Sequence, residues 1–544
     1  MNDQNLKQYP ILMQHDYRKY ALETRGHELW TVVYKSWCKD KNNGGELAAF
    51  SPPSSRGDLL KDCIWEIQSG DGAPGFSQFY EKGKKKTKYH RYPNLNYGIE
   101  PIVYTQNHYQ IKPSMLPQIT DEFRLFHNLW MAPDFKSAFK INSDGTEELV
   151  AKISEDYVEI RTKLLRQYQA ARQLDLVLFS DSIAGLIVPG GIANFKETHE
   201  GISSENCCCS LGVGKLSREE YFSRFIAKKI IPPPLVHDSK IWPYDAEDEQ
   251  YIEFIIGEDA SGSLIKHSCN PKILSNAFGA NPEAPSFLTP VFFKRHVLQR
   301  YYEEPEKFTV NDGHLRCGSL WGLRLDNDHP EHVMVFLGDL GQSLPESERG
   351  IWKSFNILPV GKMSETVFRR SFLGQPADPQ SPDLIFKATY LDFCQKWKSK
   401  MHWHLFTPLH ESDQHNFSRL RIPLIDSQPE FEAQISSLTK LLIDYLNEDQ
   451  LTKELESKIK DEKGISKFER WLSVRQYPDT HNLIAYLRRL QLLRSKISAH
   501  KKGSSYKQFL IEAAVNESTI REISDQLTLG KAMLESLGSF FFKP

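Results

Sequence analysis

The sequence predicts an α+β N-terminal region followed by an all-α bundle, and two observations carry that division. Up to about Pro133 the chain is irregular and rich in Gly, Pro, Tyr and Asn, with short apolar pieces of strand character. From Pro429 onward glycine and proline thin out, and apolar residues recur at helical spacing. These shifts predict an irregular, strand-containing region over 1–135, a mixed α/β region over 136–428 and a helical bundle over 429–544.

In chain order, Leu29-Trp30-Thr31-Val32-Val33-Tyr34 and Ile102-Val103-Tyr104 read as strands. Glu147 to Gln173 reads as a helix, because Leu149, Ile153, Val158, Ile160, Leu164, Leu165 and Tyr168 recur among charges. It runs into a strand, Leu174-Asp175-Leu176-Val177-Leu178-Phe179, and Pro232-Pro233-Pro234 forms a later break. His314–Leu325 and His332–Leu337 read as a hairpin turning at Asp326-Asn327-Asp328-His329-Pro330. Helices are expected at about 430–447, 449–461, 465–475, 480–500 and 505–537. The clearest is 480–500, with Asp479 or Thr480 as N-cap after Pro478 and Gly503 beyond its end. No fixed-period repeat is visible.

Composition bounds the function. The chain has 544 residues, 40% hydrophobic, 25% charged and 12% aromatic, which suits two or three domains with sizeable cores. A formal net charge of -2 gives no global nucleic-acid signature, although a local basic patch can hide within it. The first residues carry no apolar run, and no apolar stretch is long enough to span a bilayer, so no membrane is expected. The eight cysteines lack an export context, so reduced thiols and a cytoplasmic location are expected.

One stretch points to a reaction. Leu493-Arg494-Ser495-Lys496-Ile497-Ser498-Ala499-His500 ends a helix, and Lys501-Lys502-Gly503 follows. The helix's expected core stripe is Leu483, Leu487, Leu490, Arg494, Ile497, which sets Arg494 where an apolar residue belongs. A buried cation is costly unless it is paired or put to use. Arginine can hold two phosphate oxygens, and imidazole can move protons near neutral pH, so the pair can act on a phosphodiester without a metal. Six helical steps at about 100° set the two residues some 240° apart. They converge where a helix end loosens or where two copies share a groove. In the plainer reading Arg494 is a structural ion pair with Glu432, Asp444 or another carboxylate of the bundle, and His500 caps the helix.

An arginine followed by a histidine late in a helix of an all-α bundle resembles the HEPN superfamily, with Leu493-Arg494-Ser495 through Ala499-His500 as the matching part. In active members of that family Asn, Asp or His typically follows the arginine. Here Ser495 takes that place, and its hydroxyl can donate and accept hydrogen bonds. The resemblance implies a homodimeric, metal-independent endoribonuclease acting by 2′-OH attack, a toxin or antiviral defence effector, with Arg494, Ser495 and His500 in the site and no cofactor. Residues 1–428, which include Trp321–Leu325 and Val335–Gly341, resemble a widespread bacterial protein of unassigned role. They are expected to restrain the bundle through a regulatory ligand or protein partner. The rivals are a non-catalytic dimerisation or binding module, and an unrelated enzyme with its site in the N-terminal region.

Other segments carry weaker signals. Lys84, Lys85, Lys86, Lys88 and Arg91 form a basic run with interleaved tyrosines, either a solvated loop or an RNA contact that Lys501 and Lys502 would extend. Cys207-Cys208-Cys209 near His199 lacks a CxxC pair, and Leu211–Leu216 lacks phosphate-loop spacing. His402, His404, His410 and His415 cluster with Glu411 and Asp413 and read as core packing or, less readily, as metal ligands. No metal is expected.

Overall fold

A computed structural model describes residues 8–63, 75–90, 99–106, 108, 111, 115–245, 249–455, 459–499 and 518–542. The chain is mixed α+β, sheet-rich at its N-terminal end and helical at its C-terminal end. It forms two compact units, Met1–Asn142 with Thr146–Asp248 and Ser143–Gly145 with Glu249–Pro544.

The first unit is built on an 11-stranded antiparallel sheet. Its strands are β1 (Trp30–Lys39) and β2 (Asn42–Ser51), then, beyond a separate hairpin of β3 (Gly75–Glu81) and β4 (Lys84–His90), β5 (Leu129–Met131), β6 (Ser137–Ile141), β7 (Glu147–Ser154), β8 (Tyr157–Arg161), β9 (Asp175–Ile187), β10 (Thr198–Ser204), β11 (Cys207–Lys215) and β12 (Glu220–Ile231). The spatial order is β10-β11-β12-β9-β2-β1-β8-β7-β6-β5, and the short Glu100–Pro101 strand pairs with β2. β9 lies near the centre, so Leu176, Val177, Leu178 and Phe179 are all buried, on both faces. Helix α1 (Thr162–Arg172) lays Leu164, Leu165 and Tyr168 on one face, against Phe50, Val158 and Ile160.

The helix expected over 147–173 is therefore corrected to two strands and a shorter helix. Val150, Ile153, Val158 and Ile160 are buried, on two strands either side of a turn at Glu155-Asp156. Helical periodicity starts only at Thr162.

In the second unit, residues 253–357 form small sheets. His332–Phe336 pairs with Pro290–Lys294, which also pairs with Asn356–Ile357. Phe308–Asn311, His314–Cys317 and Trp321–Arg324 make a meander. The expected 314–337 hairpin is thus corrected. A turn through Gly318, at φ +49°, folds 314–324 back on itself, and only an isolated bridge joins Asp326 to Met334.

The helical part comprises α2 (Pro382–Met401), α3 (Gln428–Thr439) continued by a π turn over Lys440–Asp444, α4 (Glu448–Glu454), α5 (Gly464–Val474), α6 (Thr480–Ala499) and α7 (Thr519–Phe541). Helices stand where they are expected after 429, except that α4 ends at Glu454 rather than 461, with 459–463 non-helical, and α7 runs later than 505–537; residues 505–517 lie outside the described residues. One apolar core joins them, and Phe386, Phe393 and Trp397 of α2 belong to it. The helical core therefore begins before residue 428. Among the described residues no helix is long and apolar enough to cross a membrane.

Candidate functional site

Helix α6 follows Pro478, and the Leu483 N–H donates to the Asp479 carbonyl at 3.1 Å, which places Asp479 at the N-cap. Its buried stripe is Leu483, Leu487, Leu490 and Leu493. From Leu490 the core face is met three residues on, at Leu493, rather than four on, at Arg494. Arg494 is therefore not buried. Its side chain keeps 29% of its exposure at the rim of the helix, and Nη1 donates to Asp444 Oδ2 at 2.5 Å. Asp444 closes the π turn that extends α3. Of the carboxylates expected for a structural ion pair, Asp444 is the one engaged. Such a half-exposed pair is worth at most about 1 kcal/mol, so a phosphate can compete for the guanidinium.

Ser495 is exposed, and its hydroxyl donates to the Leu492 carbonyl of its own helix at 2.9 Å. His500, Lys501, Lys502 and Arg91 lie outside the described residues.

The basic run is corrected from a loop to a strand. Lys84, Lys85, Lys86 and Lys88 lie on β4, which pairs with β3 through a two-residue turn at Lys82 (φ +51°) and Gly83 (φ +73°). Positive φ at both central residues is the type I′ geometry that matches the strand twist. Residues paired directly across a hairpin share a face. One face therefore carries Lys84, Lys86 and Lys88 with Phe79 and Glu81. The other carries Phe76 opposite Tyr89 and Tyr80 opposite Lys85. The Phe76 and Tyr89 rings meet edge to face at 5.3 Å, and Lys86 pairs with Glu81. Sequence reasoning missed this aromatic face because Phe76, Phe79 and Tyr80 do not alternate strictly. The Lys82-Gly83 turn was the signal that could have revealed the hairpin.

The remaining candidates resolve into structure. On β11 the pleat sends Cys208 to the face opposite Cys207 and Cys209, and the Cys208 thiol donates to the Asp62 carbonyl at 3.1 Å. A hydrogen bond from Cys207 brings the Cys209 thiol down to about 7, while Cys207 holds its own proton more tightly. His199 lies beside Ser210 rather than a cysteine. The segment Leu211–Lys215 is not a loop at all, since Gly212 and Gly214 sit inside β11.

His402 caps α2 in the left-handed region at φ +63°, so His402 and His404 do not lie on one strand face. His404, His410 and His415 line a groove of about 1150 Å³ with Tyr390, Phe406 and Leu409. His410 Nδ1 accepts the Ser412 N–H at 3.3 Å, and His415 Nδ1 donates to the Ser412 carbonyl at 2.8 Å. A second cavity, of about 440 Å³, is lined by Phe287, Phe336, Arg324 and Asp339. Burial pushes the Asp339 carboxyl up, against the pull of Arg324. Among the described residues no cluster of three or more His, Cys, Asp or Glu side chains can hold a metal ion. In comparisons with protein-family models, curated proteins and solved structures, nothing matches the chain.

Proposed function

We propose that this chain is a HEPN-like, metal-independent endoribonuclease whose site combines Arg494 with His500, completed by a second copy of the bundle. The observation that carries the reading is the position of Arg494. It is a cation at the rim of an amphipathic helix, beside the buried Leu490 and Leu493 and six residues before a histidine, held by a single half-exposed carboxylate among the described residues.

In this reading the RNA phosphate displaces Asp444, and Arg494 holds two non-bridging oxygens as charge builds on them. His500 takes the proton of the ribose 2′-OH, O2′ attacks phosphorus, and the bond to the 5′-oxygen breaks. That oxygen leaves protonated by an imidazolium, which the partner's His500 can supply across a two-fold groove. The products carry a 2′,3′-cyclic phosphate and a 5′-hydroxyl. Lys501 and Lys502 add cationic charge beside the site, and Ser495 can turn its hydroxyl from Leu492 towards the phosphate. The biological setting this implies is a cytoplasmic toxin or defence effector that halts growth by cutting RNA.

The test is incubation of the purified chain with RNA in EDTA. Cleavage to cyclic-phosphate ends is expected, lost on the order of 100-fold or more in His500→Ala and in Arg494→Ala. Light scattering should give a dimeric mass. Full cleavage by His500→Ala would overturn the assignment.

A second reading has its own observation. The Arg494–Asp444 pair and the bond from Ser495 to its own helix use both side chains structurally. They favour a bundle that serves dimerisation or docking alone. No cleavage, with the dimer retained, would establish that reading.

A further inference from the structure

A two-stranded ribbon has no core of its own and is marginal in water unless something covers it. The β3–β4 hairpin nonetheless exposes large aromatic side chains: Phe76 is 72% exposed, Tyr80 76% and Tyr89 57%. Each such ring can bury on the order of 150 Å² or more. The same sixteen residues, 75–90, carry Lys82, Lys84, Lys85, Lys86 and Lys88 against Glu81 alone among their acidic residues. Among the described residues only Lys86 of these five lysines has an ion-pair partner. So much local positive charge, in a chain whose formal total is -2, suits a polyanion that neutralises it.

The arrangement of the two residue types selects the polyanion. Lys84, Lys86 and Lys88 stand on one face at intervals of about 7 Å, two residues of extended strand apart. That is a linear track for a phosphate backbone. The other face offers the Phe76–Tyr89 pair and, towards the turn, Tyr80 with Lys85 directly across from it. Aromatic rings beside cations hold unpaired bases, because every base has a π face and duplex bases are already stacked on one another. Between the two aromatic positions lie Gln78 and Thr87, opposite each other and both exposed. Polar groups there suit the edges of splayed bases, whereas a bilayer would need that centre to be apolar.

We propose that the β3–β4 ribbon is a docking surface for single-stranded nucleic acid that runs along the β4 edge, with bases stacked on Phe76, Tyr80 and Tyr89 on one face and phosphates held at that edge by Lys85 of the same face and by Lys84, Lys86 and Lys88, whose long stems reach round from the other. This does not depend on the cleavage assigned to α6, and its test keeps the two separate.

The experiment uses the full chain carrying His500→Ala, in EDTA, so that the probe survives whether or not the chain cuts RNA. Fluorescence anisotropy would follow a labelled oligouridylate of about 20 nucleotides and the same strand paired with oligoadenylate, a length that spans more than one single-strand site. The single strand is expected to bind, and to bind at least about tenfold more tightly than the duplex. Lys84→Gln/Lys86→Gln/Lys88→Gln should weaken single-strand binding at least about tenfold and flatten the plot of log affinity against log salt by about 2, the release expected for three phosphates. Phe76→Ser/Tyr80→Ser should also weaken binding at least about tenfold, with the salt slope unchanged and the preference for single strands lost. These side chains are exposed, so thermal unfolding should match the parent in each variant. Equal binding by the aromatic variant would overturn the proposal. So would tighter binding to the duplex, or binding to phosphatidylserine vesicles with none to either oligonucleotide.

Discussion

The sheet unit and the helical part of the second unit treat two arginines, Arg25 and Arg494, in opposite ways. In the sheet unit Arg25 and Glu46 are paired at 3.5 Å with no exposed side-chain surface on either. The guanidinium is held by the backbone: it donates to the carbonyls of Val32, Leu47 and Phe179, and to the Ser180 hydroxyl. Glu46 takes the Tyr17 hydroxyl at 3.1 Å and the Tyr20 hydroxyl at 3.4 Å. Burial beside that carboxylate raises both tyrosines. The pairing of β1 with β8 slips between Val32 and Tyr34, and such a bulge leaves backbone groups out of the ladder. Arg25 uses the Val32 carbonyl at that slip. A helix spends its carbonyls on its own N–H groups. The helical core is accordingly filled by Trp397, Trp471 and leucines, and Arg494 is pushed out to the rim. A sheet with an irregularity can solvate an ion at its centre, whereas in the helical part the buried Lys387 relies on the carbonyl of Ser418 at the end of a short helix, and Arg494 stays at the rim.

The largest effect should come from breaking the central pair. Arg25→Met leaves Glu46 buried and uncompensated, and should cost about 3–5 kcal/mol of stability in urea unfolding. Replacing both partners, Arg25→Met with Glu46→Leu, should recover much of that loss. A single substitution costing less than about 1 kcal/mol would erase the contrast between the two regions.

The titrations sharpen it, because the two regions should respond at opposite ends of the pH scale. His127, in the sheet unit, donates Nε2–H to the Leu164 carbonyl, and burial lowers it to about 3. Its folded value lies below its unfolded one, near about 6.5, so the unfolded chain takes up the proton first as pH falls. Stability is therefore lost between about pH 6.5 and 3, and His127→Gln should flatten that fall. Lys387, on α2, donates to the Ser418 carbonyl at 3.1 Å, and burial lowers it to about 8, with Asp383 opposing and Arg421 assisting. Between about pH 8 and 10.5 the folded chain sheds a proton that the unfolded chain keeps. Wild-type stability should rise there relative to Lys387→Met, by up to about 3 kcal/mol. Denaturant midpoints measured against pH for each pair would show both windows, and a flat difference in either would mean that the residue titrates alike in the folded and unfolded chains.

The smallest effect is at the rim. Asp444→Ala frees Arg494 and should change stability by less than about 1 kcal/mol in the same urea assay. A loss of several kcal/mol would mean that the pair anchors α6 and is not available to a ligand.

The helices after residue 428 are legible in the sequence because each carries a three-to-four-residue apolar period, several of them bounded by Pro, Gly or Asn. The rim position of Arg494 is not. From Leu490 a period of 3.6 permits either 493 or 494, and the neighbouring helices, which a single sequence does not display, decide between them. Residues 147–161 mimic a helix because a turn at Glu155-Asp156, without Gly or Pro, joins two strands whose apolar residues sum to a helix-like spacing. The basic residues of the ribbon are visible as composition. Their segregation from the aromatic ones is not, since it depends on the pairing register across Lys82-Gly83.

The large sheet ends at β10, and the consequence is one of containment. An outermost strand offers a row of unmatched donors and acceptors, onto which another extended chain can add, layer after layer. In β10 that invitation is withdrawn residue by residue. Glu200 places a charge on the strand within 3.8 Å of Arg18, Gly201 weakens its extended preference, and Ser203 and Ser204 leave little apolar surface near Ile202. Polymerisation is thus opposed at the outer margin of the sheet, far in the chain from the helix that carries Arg494.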